Sequence, residues 1–527
     1  MSEGLVHTTT GSKMKKEIDP DIKAYLTRNA FYVLLPLLAV CIVPFLLAQQ
    51  TGSSKRIVTK VRSASRRLMR AHDALPANII VVTNTNDSGP GSLRQALAVA
   101  NDGDIINATG VSGTILLTSG ELQINHNVTI NGPGAQNLAV NGNATFRVFE
   151  NFASNVTISG FTVTNGLPPI GDNNGGGGIL SHGGLTLIGT SILNNNAGGL
   201  YPPPNPGGGG IGVSAGGTLT VTASIISGNE NQQGPGGGIS AGGTVTVSNS
   251  TINNNEGLCA GGGIFFNDIG GTLTVMSSTI IGNSVVGCPV SARAGWVLTG
   301  GGGIVSSGSV TVNNSTISGN TVAPGGVFAT GGGVACSGSM TVINSTISGN
   351  TVDGYMCSGG GIRNAGTFTL TNSTLSGNSA PSGQGGAMSN AGQTMIGDTV
   401  LNAGASGGTI FNNGGTITSL GYNIASDNGG GVLTGPGDQI NTDPTLGPLQ
   451  DNGGPTFTHA LLPGSPAINA GDPSFTPPPF YDQRGPNYVR VYDGQIDIGS
   501  FEVQPSPHST PRPTPTPRSR PTPVPRP

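Results

Sequence analysis

Apolar and hydroxyl residues alternate over short runs throughout the chain, as in Thr218-Leu-Thr-Val221 and Thr272-Leu-Thr-Val275. A period of two marks strands with one buried face. These runs sit inside a repeat. Ser309-Gly-Ser-Val-Thr-Val-Asn-Asn-Ser-Thr-Ile-Ser-Gly-Asn320 recurs as Ser339-Met-Thr-Val-Ile-Asn-Ser-Thr-Ile-Ser-Gly-Asn350 and as Thr367-Phe-Thr-Leu-Thr-Asn-Ser-Thr-Leu-Ser-Gly-Asn378. Looser copies end at Asn165, Asn196, Asn229, Asn255 and Asn283. Subtracting successive closing positions gives steps of 31, 33, 26, 28, 37, 30 and 28 residues. That is a solenoid period with insertions of variable length. Glycine runs ending in an aliphatic residue separate the copies, at Gly178-Ile179, Gly210-Ile211, Gly238-Ile239, Gly263-Ile264, Gly303-Ile304, Gly333-Val334 and Gly361-Ile362. Three short strands per unit, joined by Gly- and Asn-rich corners, form one rung of a coil. The pattern predicts an all-β chain, a right-handed parallel β-helix solenoid of roughly ten rungs. The 3.6-residue period that helical repeats need is absent.

The repeated Asn has two readings. As Asn-x-Ser or Asn-x-Thr it is a glycosylation acceptor. As a stacked corner it tolerates the left-handed conformation and bonds the neighbouring rung through its amide. Its fixed place in the rung favours the corner. The glycine runs are read as tight corners with positive φ, because none opens a helix or precedes a Lys, as a phosphate cradle requires.

At the amino side, Ile79-Ile-Val-Val-Thr83 reads as a first strand. Ser92 and Gln95 form a capping-box pattern, and Leu93, Leu97 and Ala100 share one helical face. This short amphipathic capping helix would cover the apolar end and open strand edges of the first rung. Residues 1–29 are polar. Residues 30–49 are an apolar stretch long enough to span a bilayer, either an uncleaved signal-anchor or a long signal peptide. Residues 50–77 are a basic linker, 78–150 the amino-terminal cap and first rungs, and 151–430 the repeats. Residues 431–504 form a distinct carboxyl-terminal cap, and 505–527 a Pro/Thr-rich tail of extended polyproline character. The basic residues beyond the apolar stretch conflict with the positive-inside rule for an exported rod; composition favours export.

Charged residues are only 9% of the chain and the net charge is −3. No basic surface for nucleic acid is implied. No Lys follows Lys60. Cys259 and Cys288 follow their corner Asn residues by four and five positions (255 to 259, 283 to 288). Adjacent rungs would bring them within disulfide reach, so this pair is expected to bond, in keeping with an oxidising compartment.

Gly91-Ser-Leu-Arg-Gln-Ala-Leu97 with Ala100-Asn101, preceded by Asn86-Asp-Ser-Gly89, resembles the CSLREA-type module of bacterial surface proteins. Gly91 stands where that module has Cys, and Gln95 where Glu is usual. Asn441-Thr-Asp-Pro-Thr-Leu-Gly-Pro-Leu-Gln-Asp-Asn-Gly-Gly454, Gly464-Ser-Pro-Ala-Ile-Asn-Ala-Gly471, Asp482-Gln-Arg-Gly485 and Asp497-Ile-Gly-Ser-Phe-Glu502 are similar, in order, to the choice-of-anchor Q domain. The rungs also resemble those of polymorphic outer-membrane passenger proteins. These resemblances imply an extracellular or cell-surface bacterial protein, adhesive or structural.

Parallel β-helices also include pectate-lyase-like enzymes, so a polysaccharide lyase or glycoside hydrolase is the alternative. Glycoside hydrolysis needs two carboxylates facing one groove, and the repeats spread their acids thinly. No catalytic residue, metal site or cofactor is assigned. The insertions between corner Asn and glycine run carry Tyr201, Glu230, Glu256, Arg293, Trp296, Phe328, Asp353 and Tyr355. Aromatics beside a few polar groups suit sugar rings, which makes this loop flank the expected binding site. The expected partners are a cell-surface or extracellular polysaccharide or another surface protein, with membrane contact through 30–49 if uncleaved.

Overall fold

The computed structural model describes residues 77–504, apart from 170–174, 199–206, 233, 288–299, 324–328, 355–356 and 381–383. Within them the chain winds into a right-handed parallel β-solenoid of about eleven turns, with one short α-helix at its start. The first face has thirteen strands, from Ile79–Val81 to Thr416–Gly421. The second has eleven, from Leu122–Ile124 to Ile410–Asn412, and the third twelve, from Gly113–Leu116 to Ile424–Ala425. Five strands, from Glu230–Asn231 to Thr351–Val352, add a narrow fourth sheet on the middle rungs.

Register is strict because alternation fixes which side chains point inward. On the first face Thr186, Thr220, Thr246, Thr274, Thr311, Thr341 and Thr369 stand in one outward column. Their inward neighbours Leu187, Val221, Val247, Val275, Val312, Val342 and Leu370 are fully buried. Burying each aliphatic side chain contributes about 1.5–3 kcal/mol. The core is therefore a set of like-on-like stacks, one layer per rung.

Two corners are built by the same device, a left-handed residue followed by a buried polar one. At the corner after the third face the ladder is Asn195, Asn229, Asn255, Asn283, Asn320, Asn350 and Asn378, each almost wholly buried. Asn283 Nδ2 donates to Asn320 Oδ1 (2.9 Å), and so does the Asn283 backbone N–H (3.0 Å). The same Nδ2 donates back to the Ile252 carbonyl (3.0 Å). Each amide thus ties three rungs together. The ladder runs through Asn195, not Asn196 as the spacing suggested. The left-handed residue is also not the ladder Asn but the one before it, namely Asn194, Gly228, Asn254, Gly282, Gly319, Gly349 and Gly377. The Asn-Ser-Thr acceptor triplets of the repeats fall not on the ladder Asn but at Asn249, Asn314, Asn344 and Asn372; Asn344 and Asn372 are buried, Asn314 is half-buried and Asn249 is exposed.

Between the first and third faces the ladder is hydroxyl. Ser224, Ser250, Ser278, Ser315 and Ser345 each donate their backbone N–H to the hydroxyl of the next rung, at 3.1–3.2 Å. Left-handed Ala223, Asn249, Ser277, Asn314 and Asn344 precede them. The glycine runs abut the Asn ladder. A Cβ on Gly303 would lie 2.6 Å from the Gly333 carbonyl oxygen and 3.2 Å from Asn320 Nδ2. Gly301, first of its run, has φ 63°. Positive φ and close rung approach both require glycine there.

Helix α1 (Leu93–Val99) begins at Ser92, whose side chain accepts from the Gln95 N–H (3.2 Å). Gln95 Oε1 accepts from the Gly91 N–H (2.9 Å), and Leu93, Leu97 and Ala100 are buried. Asp87 anchors the segment, pairing with Arg94 (2.6 Å) and accepting from Thr118 and Ser119. Burial raises its pKa, but the hydrogen bonds from Ser119, Arg94 and Thr118 win and hold it at about 2.

Residues beyond the last rung double back along the third face. Leu446–Gln450 and Thr458–Leu461 pair antiparallel. Gln483 donates to Thr316 Oγ1 (2.9 Å) and accepts from Thr346 Oγ1 (2.6 Å). Ser500 donates to Thr374 Oγ1 by N–H and hydroxyl (3.1 Å each), and His459 Nε2 meets Ser348 Oγ (2.9 Å). No helix among the described residues is long and apolar enough to cross a membrane; the apolar stretch 30–49 lies outside them.

Candidate binding site

The loop-flank residues divide. Glu230 and Glu256 are register partners on adjacent rungs of the fourth sheet. Glu230 accepts from Asn196 and Gln232, and Glu256 from Ser284. Asp353 follows the last strand of that sheet and is exposed. Tyr201, Arg293, Trp296, Phe328 and Tyr355 lie outside the described residues. Cys259 is disulfide-bonded, while Cys288 lies outside the described residues. Cys336 is a free buried thiol, which burial pushes up to about 11.

A cluster that sequence reading passed over stands on the second face near its amino end. Glu150 is the outward residue at the centre of Phe149–Asn151, in register with Gln123 of Leu122–Ile124. Glu121 immediately precedes Leu122–Ile124. Asn151 pairs with Ser181, so the residues that follow them, Phe152 and His182, become neighbours across two rungs. Their rings stack at 5.0 Å with 15° between planes. His182 bridges two rungs, with Nε2 3.1 Å from Glu150 Oε1 and Nδ1 3.1 Å from Ser214 Oγ.

Arg147 lies beneath this surface, its side chain only 1% exposed. Its Nη1 is 2.8 Å from Glu121 Oε2 and 3.7 Å from Glu150 Oε1. Its Nε and Nη2 donate to the Gly175 and Gly176 carbonyls. Two carboxyls thus converge on one buried guanidinium. Burial, then the hydrogen bond shared with Glu150, raises the Glu121 pKa to about 7 against the pull of Arg147. Near neutrality this pair holds a proton.

The arrangement limits the chemistry. Carboxyls that share a hydrogen bond are closer than the ~5 Å that a retaining glycosidase needs, and far closer than an inverting one. Arg147 is sunk among carbonyls and carboxyls, unlike a base open to substrate. What faces solvent is the Phe152–His182 platform, with Phe152 48% exposed, beside Gln123 and the edges of two carboxyls. The signal for this cluster was its spacing: Glu121 to Glu150 is 29 residues and Glu150 to His182 is 32, where the register steps are 27 (Leu122 to Phe149) and 30 (Glu150 to Leu180), so each partner stands on the next rung two positions further along. Among the described residues no group of three or more His, Cys, Asp and Glu is arranged to hold a metal ion.

The other acids are accounted for in the carboxyl-terminal block. Asp443, Asp451 and Asp472 accept backbone N–H groups two residues on, as turn formers do. Asp482 and Arg484 pair at 2.6 Å, and the Arg484 guanidinium lies 3.7 Å from the ring centres of both Tyr488 and Phe501.

The family described as right handed beta helix region matches residues 113–300. Among solved structures, the chain is similar to pectate lyase Pel9A at 14% identity, covering 82% of this chain and 98% of that one, with a TM-score of 0.42. No curated protein matches the sequence significantly.

Proposed function

We propose that this protein is a surface-exposed solenoid scaffold that binds carbohydrate without cleaving it. One observation carries the reading. Among the described residues, an acid–base cluster on the second face ties its carboxyls to each other and to a buried arginine beside a partly exposed aromatic pair. Sugar rings pack on such platforms through their C–H faces, and the adjoining carboxyl and amide groups take the hydroxyls. The outward Thr columns supply a long uncharged rod on which to display the site. The resemblances of 86–101 to the CSLREA-type module and of 441–502 to the choice-of-anchor Q domain support a bacterial cell-surface location. The test is binding of the full-length protein to immobilised polysaccharides, with and without Phe152→Ala. Loss of retention in that variant supports the site; unchanged retention moves binding elsewhere, first to the Glu230–Glu256 flank.

The second reading is a polysaccharide lyase or glycoside hydrolase. It is favoured by the Glu121 pKa of about 7, which suits a general acid or base. Release of reducing or unsaturated ends, abolished by Glu121→Gln, would establish it.

A further inference from the structure

We infer that the ligand of the Phe152–His182 site is an amino sugar, a pyranose bearing a protonated amine, presented in a polysaccharide. The inference rests on the carbohydrate-binding reading above and names its ligand class. Its basis is the layering of charge. Arg147 lies behind the site, whereas Glu121 and Glu150 keep 19% and 12% of their side chains exposed in front. A ligand approaching from solvent therefore meets acid first. The chain has no Lys after Lys60, and the neighbours Gln123, exposed, and Ser214, half-buried, are neutral. A uronate polymer would bring its carboxylates against Glu121 and Glu150, and among the described residues of the site no exposed Lys or Arg stands to receive them.

An ammonium fits the same groups. Among the described residues, the charged and titratable groups facing the site are Glu121 before the first strand, Arg147 and Glu150 on the next rung, and His182 on the third. One guanidinium cannot neutralise two carboxylates, so the pair holds a proton between them when empty. An alkylammonium offers three N–H donors to carboxylate oxygens. It can take the place of the shared proton, whose carboxyl O–H bond breaks as the proton passes to the buffer base; no other covalent bond is made or broken. The ring attached to that amine then lies toward Phe152, whose half-exposed ring also favours a nearby cation. Binding is therefore coupled to proton release.

The experiment is calorimetry on the full-length protein at pH 6, where the amines of the first probe are protonated, with glucosamine hexamer and N-acetylglucosamine hexamer as probes. Each is titrated in two buffers of different ionisation enthalpy. Expected is a preference of about tenfold or more for glucosamine, with proton release for that probe alone. Glu150→Gln should remove the preference, and Glu121→Gln should reduce it. Phe152→Ala, at an exposed position, should weaken both probes. Equal affinity for the two probes, or no proton release, overturns the amino-sugar inference and leaves carbohydrate binding standing. Failure of both probes and of every polysaccharide in the wider panel overturns both.

Discussion

Asn320 shows how much a single residue can carry here. Its Oδ1 accepts two hydrogen bonds from Asn283, and its Nδ2 donates to Asn350 and to the Ile280 carbonyl. Asn320→Ala leaves the buried Asn283 backbone N–H without its acceptor and removes three further buried ladder bonds. The expected loss is about 2–4 kcal/mol, read as a lower urea midpoint. Gly319 beside it has φ 60° and open space around a built Cβ. Asn194 and Asn254 already take that conformation at equivalent corners, so Gly319→Asn should stay within about 0.5 kcal/mol of the parent. Gly302→Ala should be far worse, because its Cβ would fall 2.6 Å from two backbone oxygens. The sequence marked the Asn as structural, but it could not separate the buried amide from its left-handed neighbour. In Asn194-Asn-Asn196 any of the three fits a corner, and only the rung geometry selects Asn195.

Among the elements, the carboxyl-terminal block explains why three repeats are nearly identical. Thr316, Thr346 and Thr374 are buried beneath it, while Ile225, two rungs before Thr279 in the same column, is 46% exposed. The strict Asn-Ser-Thr-x-Ser-Gly-Asn copies are the footprint of Gln483, Ser500 and His459. Thr346→Val removes a hydroxyl shared by Gln483 and Ser500. It should raise hydrogen exchange across 446–504 by about tenfold while leaving rungs before 281 unchanged, a cost of about 1–2 kcal/mol. The block should also loosen in alkali. Burial, reinforced by Asp497, raises Glu502 to about 8, and burial raises Asp398 to about 6. The folded block therefore holds protons that the unfolded chain has already lost above about pH 4.5. Stability falls as pH climbs from there toward 8, and Glu502→Gln should flatten that slope. Urea midpoints at pH 5.5, 7 and 8.5 check it. Buried His459, its pKa lowered by desolvation, acts oppositely, and stability is lost as pH falls below about 6.5.

For the whole molecule, the fold was legible because each layer repeats the same instruction. Alternation set the faces, glycine runs set one corner, and Ser92 and Gln95 set the opening helix. The site was less legible. Glu121, Arg147, Glu150, Phe152 and His182 stand in rungs whose repeat is loosest, and only stacking at one rung per turn brings them together. The insertions made the loop flank the more conspicuous surface, and there Glu230 and Glu256 do meet across rungs. The central claim is that this face holds sugar without breaking it. It is tested most directly by incubating the full-length protein with a polysaccharide panel and recording retention and newly released chain ends together. Retention that depends on Phe152, with no reducing or unsaturated ends released, is the expected result. Chain ends that appear with the parent and vanish with Glu121→Gln would contradict it and make the cluster catalytic.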